Sequence, residues 1–129
     1  MLTVLPIQSK DTQKELCEIC GVTYNENAFA YRADDGDFIG ICQFYFNDNK
    51  GYIDNLTYAP NVNDWEAMII MLRAAMNFMY RCGIGLVFLN SSTDEDLLKR
   101  SGFLKNTDGE YYIDVKKFYG GSCCSEWGA

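Results

Sequence analysis

Hydrophobic and polar residues recur along this chain with two different periods, which predict where strands and helices lie. Alternating or continuous apolar runs of strand length predict seven strands. They are Thr3 to Leu5, Ala28 to Ala33, Phe38 to Phe46, Tyr52 to Tyr58, Leu86 to Leu89, Phe103 to Lys105 and Tyr111 to Lys117. Asp34-Asp-Gly-Asp37 and Asn47-Asp-Asn-Lys-Gly51 have the composition of hairpin turns. The second, third and fourth strands are therefore predicted to form an antiparallel meander.

A second period, close to that of the α-helix, marks the helices. Ser9 or Asp11 can cap a first helix, and a long amphipathic helix runs from about Asp64 to Cys82, where Gly83 ends it. The apolar stripe of the long helix is rich in methionine, which suits either an adaptable binding groove or a buried face, and we favour the buried face. A short helix is predicted after Ser92 or Thr93; it ends at Lys99-Arg100.

The element order predicts the fold class and the domain organisation. Strands that alternate with helices give an α/β domain, with a mixed sheet and helices on its faces. A chain of 129 residues can bury one such core without disulfide bonds or structural metal ions. We therefore expect a single domain over residues 1–119, followed by a loop-like tail over residues 120–129.

Charge and hydropathy narrow the classes of partner. The formal net charge of −7 argues against nucleic acid, because phosphate binding needs a basic face. The same charge would suit a cationic substrate such as an amine, although it is also typical of ordinary solubility. Met1 to Ile7 lacks the features of a secretory signal, and Ala67 to Tyr80 is too short to span a bilayer. We expect a cytoplasmic protein with no membrane partner.

Cysteine and histidine content decides which catalytic centres remain available. The sequence has six cysteines and no histidine, which excludes mixed Cys/His zinc sites and the Ser-His-Asp and Cys-His catalytic groups. Cys17 and Cys20 form a single C-x-x-C within a helical pattern, and the adjacent Cys123 and Cys124 are a poor chelating pair. We interpret the cysteines as structural or incidental and expect no metal.

The stretch from Gly51 to Phe103 has a distinctive order: a strand that stops at Pro60, a loop, a long helix ending at Gly83, a strand, a helix and then Gly102-Phe103. This order resembles the core of the GNAT family of N-acetyltransferases, and the resemblance extends over residues 3–117. It implies a GNAT-like fold, mostly antiparallel and flanked by helices. It also implies acetyl-CoA as cofactor and a small-molecule or peptide amine as acceptor.

The loop after Pro60 departs from the pattern of that family. GNAT proteins carry V-x-P-x-x-[QR]-x-x-G-x-[GA] there, and its backbone N–H groups cradle the coenzyme A pyrophosphate at a helix N-terminus. Aligned on Pro60, the basic or glutamine position falls on Asn63, and the small positions fall on Glu66 and Met68. The carboxylates of Asp64 and Glu66 would repel a pyrophosphate, but they suit a helix cap and a helix first turn.

The resemblance also implies roles for individual residues. Asp54 stands where several relatives carry a glutamate general base, and the Tyr58 or Ala59 N–H group would polarise the thioester carbonyl. Leu98 occupies the position of a tyrosine that protonates the departing thiolate; Tyr111 or Tyr112 would have to replace it in space or else serve in packing. The expected cofactor-binding residues are Leu56, Tyr58, Ala59, Asn61, Val62, Asn63, Asp64 and Asn90.

The element order matches the GNAT family but the loop after Pro60 does not, so two functions are possible. The first is a divergent GNAT-like acetyltransferase that transfers an acetyl group from acetyl-CoA to an amine. The second is a catalytically silent GNAT-like module that does not bind coenzyme A and instead binds another ligand, another protein or a second copy of itself. Either function is compatible with a homodimer.

Overall fold

The computed structural model describes residues 1–89 and 95–121. Seven strands and three α-helices alternate along the chain, and a short π-helix, Lys116–Gly121, follows the last strand. The elements are β1 (Thr3–Pro6), α1 (Lys10–Cys20), β2 (Phe29–Asp35), β3 (Asp37–Asn47), β4 (Lys50–Tyr58), α2 (Trp65–Arg81), β5 (Leu86–Leu89), α3 (Glu95–Arg100), β6 (Leu104–Lys105) and β7 (Tyr111–Asp114).

All seven strands belong to one mixed sheet, in the order β1-β2-β3-β4-β5-β7-β6. Only β4 and β5 run parallel, since α2 connects them as a crossover helix, and the other neighbours are antiparallel. The expected meander of β2, β3 and β4 is confirmed. So is the expected class, a mostly antiparallel mixed sheet flanked by helices.

The main core lies between the sheet and α2. The methionines of that helix are all buried there, as the buried-face interpretation predicted, against Phe44, Ile53 and Val87 of three neighbouring strands. Leu97 and Leu98 of α3 join the same core. Of the described α-helices, α2 and α3 cover this face of the sheet, and α1 covers the other.

On that second face, α1 packs over β2 and β3 through Leu16 and Cys17, which contact Ala30 and Ile41. Ser9 caps the helix by accepting a hydrogen bond from the Thr12 amide. Beyond β3, the same face carries polar residues and tyrosines in place of a second apolar cluster. This difference between the two faces places the candidate site.

Some predicted boundaries were wrong. Gly51 is a buried strand residue, and the hairpin before it turns at Asp48 and Asn49, both with positive φ. The last strand ends at Asp114, because the backbone enters the π-helix instead of continuing to Lys117. The expected tail lies outside the described residues except for its first two, which end that π-helix.

Candidate active site

A β-bulge in the middle of β4 organises the polar site. Gln43 of β3 pairs with Asn55, and the next residue, Phe44, pairs with Ile53, so Asp54 is an extra residue in β4. Ile53 and Leu56 consequently both reach the core on the α2 side. Asp54 and Asn55 both line a cavity on the α1 side. Strict alternation along the strand would have placed them on opposite faces, and the bulge breaks that alternation.

The cavity has a volume of about 860 Å³ and is lined by residues 21–27, which follow α1, and by Asp54 and Asn55. The Asn25 side-chain amide donates a hydrogen bond of 3.0 Å to Oδ2 of Asp54. Glu26 adds a second carboxylate, and no lysine or arginine lines the cavity among the described residues. The site is therefore suited to a cation.

A buried polar network attaches the cavity wall to the sheet. The Gln43 side chain is fully buried on β3, where its oxygen accepts from the Asn25 backbone N–H at 3.2 Å and from Nε2 of Gln13 at 2.8 Å. Its Nε2 donates to the Thr23 carbonyl oxygen at 2.8 Å. Lys10 extends the network by donating to Gln13 and to the Ala28 carbonyl oxygen. Because every partner is held in place, the loop presents Asn25 to Asp54 in a fixed position.

Asn55 differs from its neighbours in hydrogen bonding. Its side chain is 8% exposed, and its Oδ1 has no hydrogen-bond partner among the described residues. A buried amide oxygen without a partner costs free energy, which makes it a candidate for contact with a ligand.

Asp54 lies at the end of the described pairing between β4 and β5. The last rung among the described residues joins Ile53 to Leu89, and Asp54 follows Ile53 in β4. Over residues 55–58 the described pairing of β4 is with β3. The resemblance leads us to expect a cleft on this part of β4, which would hold the pantetheine arm and the thioester.

The loop from Pro60 to Asp64 connects the cleft to the N-terminus of α2. Asp64 caps the helix, since its side chain accepts from the Ala67 N–H at 3.1 Å, and Asn61 adopts a positive φ of 62°. The Arg100 guanidinium of α3 lies 5.1 Å from the Trp65 ring centre and brings a cation to the first turn of α2. This cation and the positive helix N-terminus partly offset the negative charge of the loop carboxylates.

Two backbone amides of this region are already used. The Ala59 N–H donates to the Ile39 carbonyl oxygen at 2.7 Å, so it is not available as an oxyanion donor. The Val62 N–H donates to the Ala59 carbonyl oxygen at 3.2 Å. Asn61, Asn63 and Asp64 remain as backbone donors of the expected set, and Tyr58 remains the candidate at the thioester.

The expected residues around the cleft occupy varied positions. The Leu56 side chain belongs to the core and leaves only its backbone for a ligand. Val62 and Tyr58 are half-buried against the same core. Asn90 lies outside the described residues. Only Asp54 of the predicted set lies in the α1-side cavity, and sequence reasoning missed Asn25, although Gln43 within an apolar strand was an available signal of a buried polar group.

The two tyrosines considered as replacements for the tyrosine of the family separate in space. Leu98 is fully buried in the core. Tyr111 lies beside Leu89 in the sheet, where a hydrogen bond to Glu95, followed by burial and the Glu95 charge, raises its pKa. Tyr112 instead belongs to a row of rings on the α1 side. Of the two, Tyr111 lies on the face that carries α3.

The described part of the chain contains no arranged metal or redox centre. No group of three or more Cys, Asp or Glu side chains there is placed to hold a metal ion. Cys17 and Cys20 are both free; Cys17 packs in the α1 core, and Cys20 contacts the Thr57 carbonyl oxygen at 3.9 Å. None of the described helices combines the length and apolarity needed to cross a bilayer.

Comparison of the whole fold with solved structures gives extensive matches. The ribosomal-protein-S18-alanine N-acetyltransferase of Escherichia coli superposes with a TM-score of 0.68 at 12% identity, over 89% of this chain and 94% of that one. A dodecameric spermidine N-acetyltransferase from Vibrio cholerae gives 0.71 at 11% identity, over 94% and 98%. A Staphylococcus aureus acetyltransferase of the GNAT family gives 0.72 at 10% identity, over 90% and 100%. The fold is that of the GNAT N-acetyltransferases.

Sequence comparison adds nothing to this result. No protein-family model matches the chain, and no curated protein sequence matches it. Identities of 10% to 12% with the three solved structures establish the GNAT fold and leave the activity to be argued from the site.

Proposed function

We propose that this protein is an N-acetyltransferase that transfers the acetyl group of acetyl-CoA to an amine. The observation that carries the proposal is the β4 bulge, which places Asp54 in an anionic cavity, directly after the last described rung between β4 and β5. A carboxylate there lies between the expected positions of the two substrates. No lysine or arginine of the described residues lines this cavity.

The proposed roles follow from this placement. Asp54, held by Asn25, accepts a proton from the bound ammonium and leaves a neutral amine as the nucleophile. The Tyr58 N–H would stabilise the developing negative charge, and Tyr111 would hold a proton near the cleft. The backbone of Asn61, Asn63 and Asp64, with Arg100, would hold the pyrophosphate. Bound acetyl-CoA supplies the activated acetyl thioester, whose C–S bond is exchanged for an amide C–N bond with release of the thiol.

The acceptor named for the Vibrio cholerae protein is spermidine, and that for the Escherichia coli protein is an alanine of ribosomal protein S18. For this chain we propose the shared class, a small-molecule or peptide amine. Association of the chain with a second copy of itself is compatible with the proposal.

The test combines cofactor binding with turnover. We expect acetyl-CoA at about a hundred times its dissociation constant to raise the free energy of unfolding by about 2.7 kcal/mol, measured by thermal unfolding. Asp54→Asn should retain this shift and lower kcat for amine acetylation by about 100-fold or more, followed by mass spectrometry of the acetylated amine. Asp37→Asn, which changes an exposed carboxylate at the start of β3, is the matched control and should leave both unchanged.

Absence of any shift with millimolar acetyl-CoA would contradict the proposal. The silent module would then be the better account, because the carboxylates of Asp64 and Glu66 would have excluded the pyrophosphate. If acetyl-CoA stabilises Asp54→Asn and this variant keeps full turnover, acetyl-CoA is still the cofactor but Asp54 is not the general base.

A further inference from the structure

The α1 side of the sheet carries a row of aromatic rings that the proposed chemistry does not use. Tyr45, Tyr52, Phe88 and Tyr112 are opposite one another on four neighbouring strands. Consecutive ring centres are separated by 5.2, 5.9 and 6.3 Å. All four side chains are half-buried, whereas the apolar residues facing α2 are fully covered. We call this row the aromatic tract.

The aromatic tract is next to the cavity. Tyr52 precedes Asp54 by two residues on the same face of β4, which corresponds to about 7 Å along a strand. Gln43, which holds the cavity wall, lies on the same face of β3 and precedes Tyr45 by two residues. A ligand whose charged end lies at Asp54 therefore extends over the tract with a linker of only a few atoms.

Ring orientation decides what the tract can accept. Tyr45 and Tyr52 are stacked with an interplanar angle of 24°, and so are Tyr52 and Phe88. Because these rings face one another along the row, their edges are what they offer to a ligand lying over the row. Apart from the tyrosine hydroxyls, these edges are apolar ring surface, which favours an apolar or aromatic body over a second hydrated ammonium group.

The unpartnered oxygen of Asn55 supplies an independent sign of a ligand. Asn55 as a residue is nine-tenths buried and lines the cavity, and its buried Oδ1 lacks a hydrogen-bond donor among the described residues. A primary ammonium has three N–H groups, of which Asp54 can accept one and Asn55 another. The pairing of one carboxylate with one amide oxygen suits a single charged nitrogen.

We infer that the acceptor is a primary amine with an aromatic ring on a short linker, its nitrogen bound by Asp54 and Asn55 and its ring placed over the aromatic tract. This inference rests on the proposed function for the reaction, but the binding site is argued from the described residues alone. It distinguishes the chain from a polyamine acetyltransferase, because a polyamine would place its second charge over a largely apolar surface.

The first experiment compares three amines as acceptors with acetyl-CoA: 2-phenylethylamine, n-hexylamine and spermidine. We expect kcat/KM for 2-phenylethylamine to exceed the other two by about tenfold or more, which corresponds to about 1.4 kcal/mol. Tyr52→Leu should bring 2-phenylethylamine and n-hexylamine to similar values. Tyr80→Leu is the matched control, since this half-buried tyrosine lies on α2 and packs against Tyr119. Preference for spermidine, or an unchanged ratio in Tyr52→Leu, would overturn the inference.

Asn55→Leu separates ligand binding from structural support. Removal of an oxygen that has no partner should leave the Tm unchanged or raised, while KM for 2-phenylethylamine rises about tenfold. A residue that only stabilises the fold would give the opposite pattern, a lower Tm with an unchanged KM.

Direct binding keeps this inference separate from the proposed function. Titration calorimetry of 2-phenylethylamine, with and without coenzyme A, does not require turnover. If no amine is acetylated, the proposed function fails. The binding site is still supported in that case if 2-phenylethylamine binds and if Tyr52→Leu and Asn55→Leu each weaken its binding. If 2-phenylethylamine does not bind under either condition, the site is rejected.

Discussion

At the scale of single residues, the functional character of this chain depends on a few polar side chains placed where apolar ones would be more stable. Asp54 and Asn55 interrupt the apolar strand β4, and Gln43 interrupts β3. Both polar atoms of the Gln43 side chain are hydrogen-bonded and Asp54 accepts from Asn25, but the Asn55 oxygen has no partner among the described residues. That oxygen is therefore a buried acceptor that a ligand could satisfy.

The cysteines also differ from one another in burial and in thiol pKa, which their spacing in the sequence did not indicate. Burial, then the charge of Cys17, raises the pKa of Cys20 to about 11, and burial, then the charge of Asp54, raises that of Cys42 to about 12. Cys82 is exposed where α2 ends. Since the thiolate is the reactive form, a raised pKa lowers reactivity at any pH below it.

We therefore predict that iodoacetamide at pH 8 labels Cys82 in the native protein and leaves Cys20 and Cys42 almost unlabelled, as measured by peptide mass spectrometry. Raising the pH toward the two pKa values should increase their labelling. Denaturation in urea should expose both and serves as the control. Rapid native labelling of Cys42 would mean that β3 is less well covered than the structure indicates.

At the scale of elements, the contact between the loop after α1 and strand β3 forms a wall of the anionic cavity. Gln43→Leu should lower the free energy of unfolding by about 3 kcal/mol, because Gln13, Thr23 and Asn25 then have buried groups without partners. Urea unfolding measures the loss. Gln8→Leu, an exposed position, is the matched control. An unchanged urea midpoint for Gln43→Leu would show that the network contributes no net stability.

The close approach of β3 and β4 gives a second prediction at this scale. A Cβ atom on Gly40 would lie 2.5 Å from the Thr57 carbonyl oxygen, a backbone atom that cannot move without breaking the pairing. We expect Gly40→Ala to cost about 1–3 kcal/mol of stability in urea unfolding. The control is Gly85→Ala, whose Cβ would meet only Lys116 Cδ, at 3.9 Å. Equal stability of the two variants would contradict the packing described here.

At the scale of the whole molecule, the two faces of the sheet have separate roles. The α2 face holds the continuous apolar core, whereas the α1 face holds the polar cavity and the aromatic tract. The net charge of −7 agrees with a cationic ligand, and the cavity concentrates negative charge on the α1 face. Because the polar residues of the cavity lie on the α1 face, they do not interrupt the apolar core on the α2 face.

Local patterns in the sequence were sufficient for the element order, the sheet class and the resemblance to GNAT proteins. Each depends on short-range periodicity, on turn residues and on spacing along one segment, as in α2 between Asp64 and Gly83. The helix cap at Asp64 was predictable for the same reason, because a cap involves residues only a few positions apart.

Only the tertiary structure decided where the site lies. The bulge at Asp54 arises from the register of β4 against β3, so no pattern within β4 reveals it. The contact from Asn25 to Asp54 and the aromatic tract likewise join segments far apart in sequence. Periodicity along one strand fixes which residues alternate, whereas pairing between strands decides where that alternation breaks, and here the break creates the candidate site.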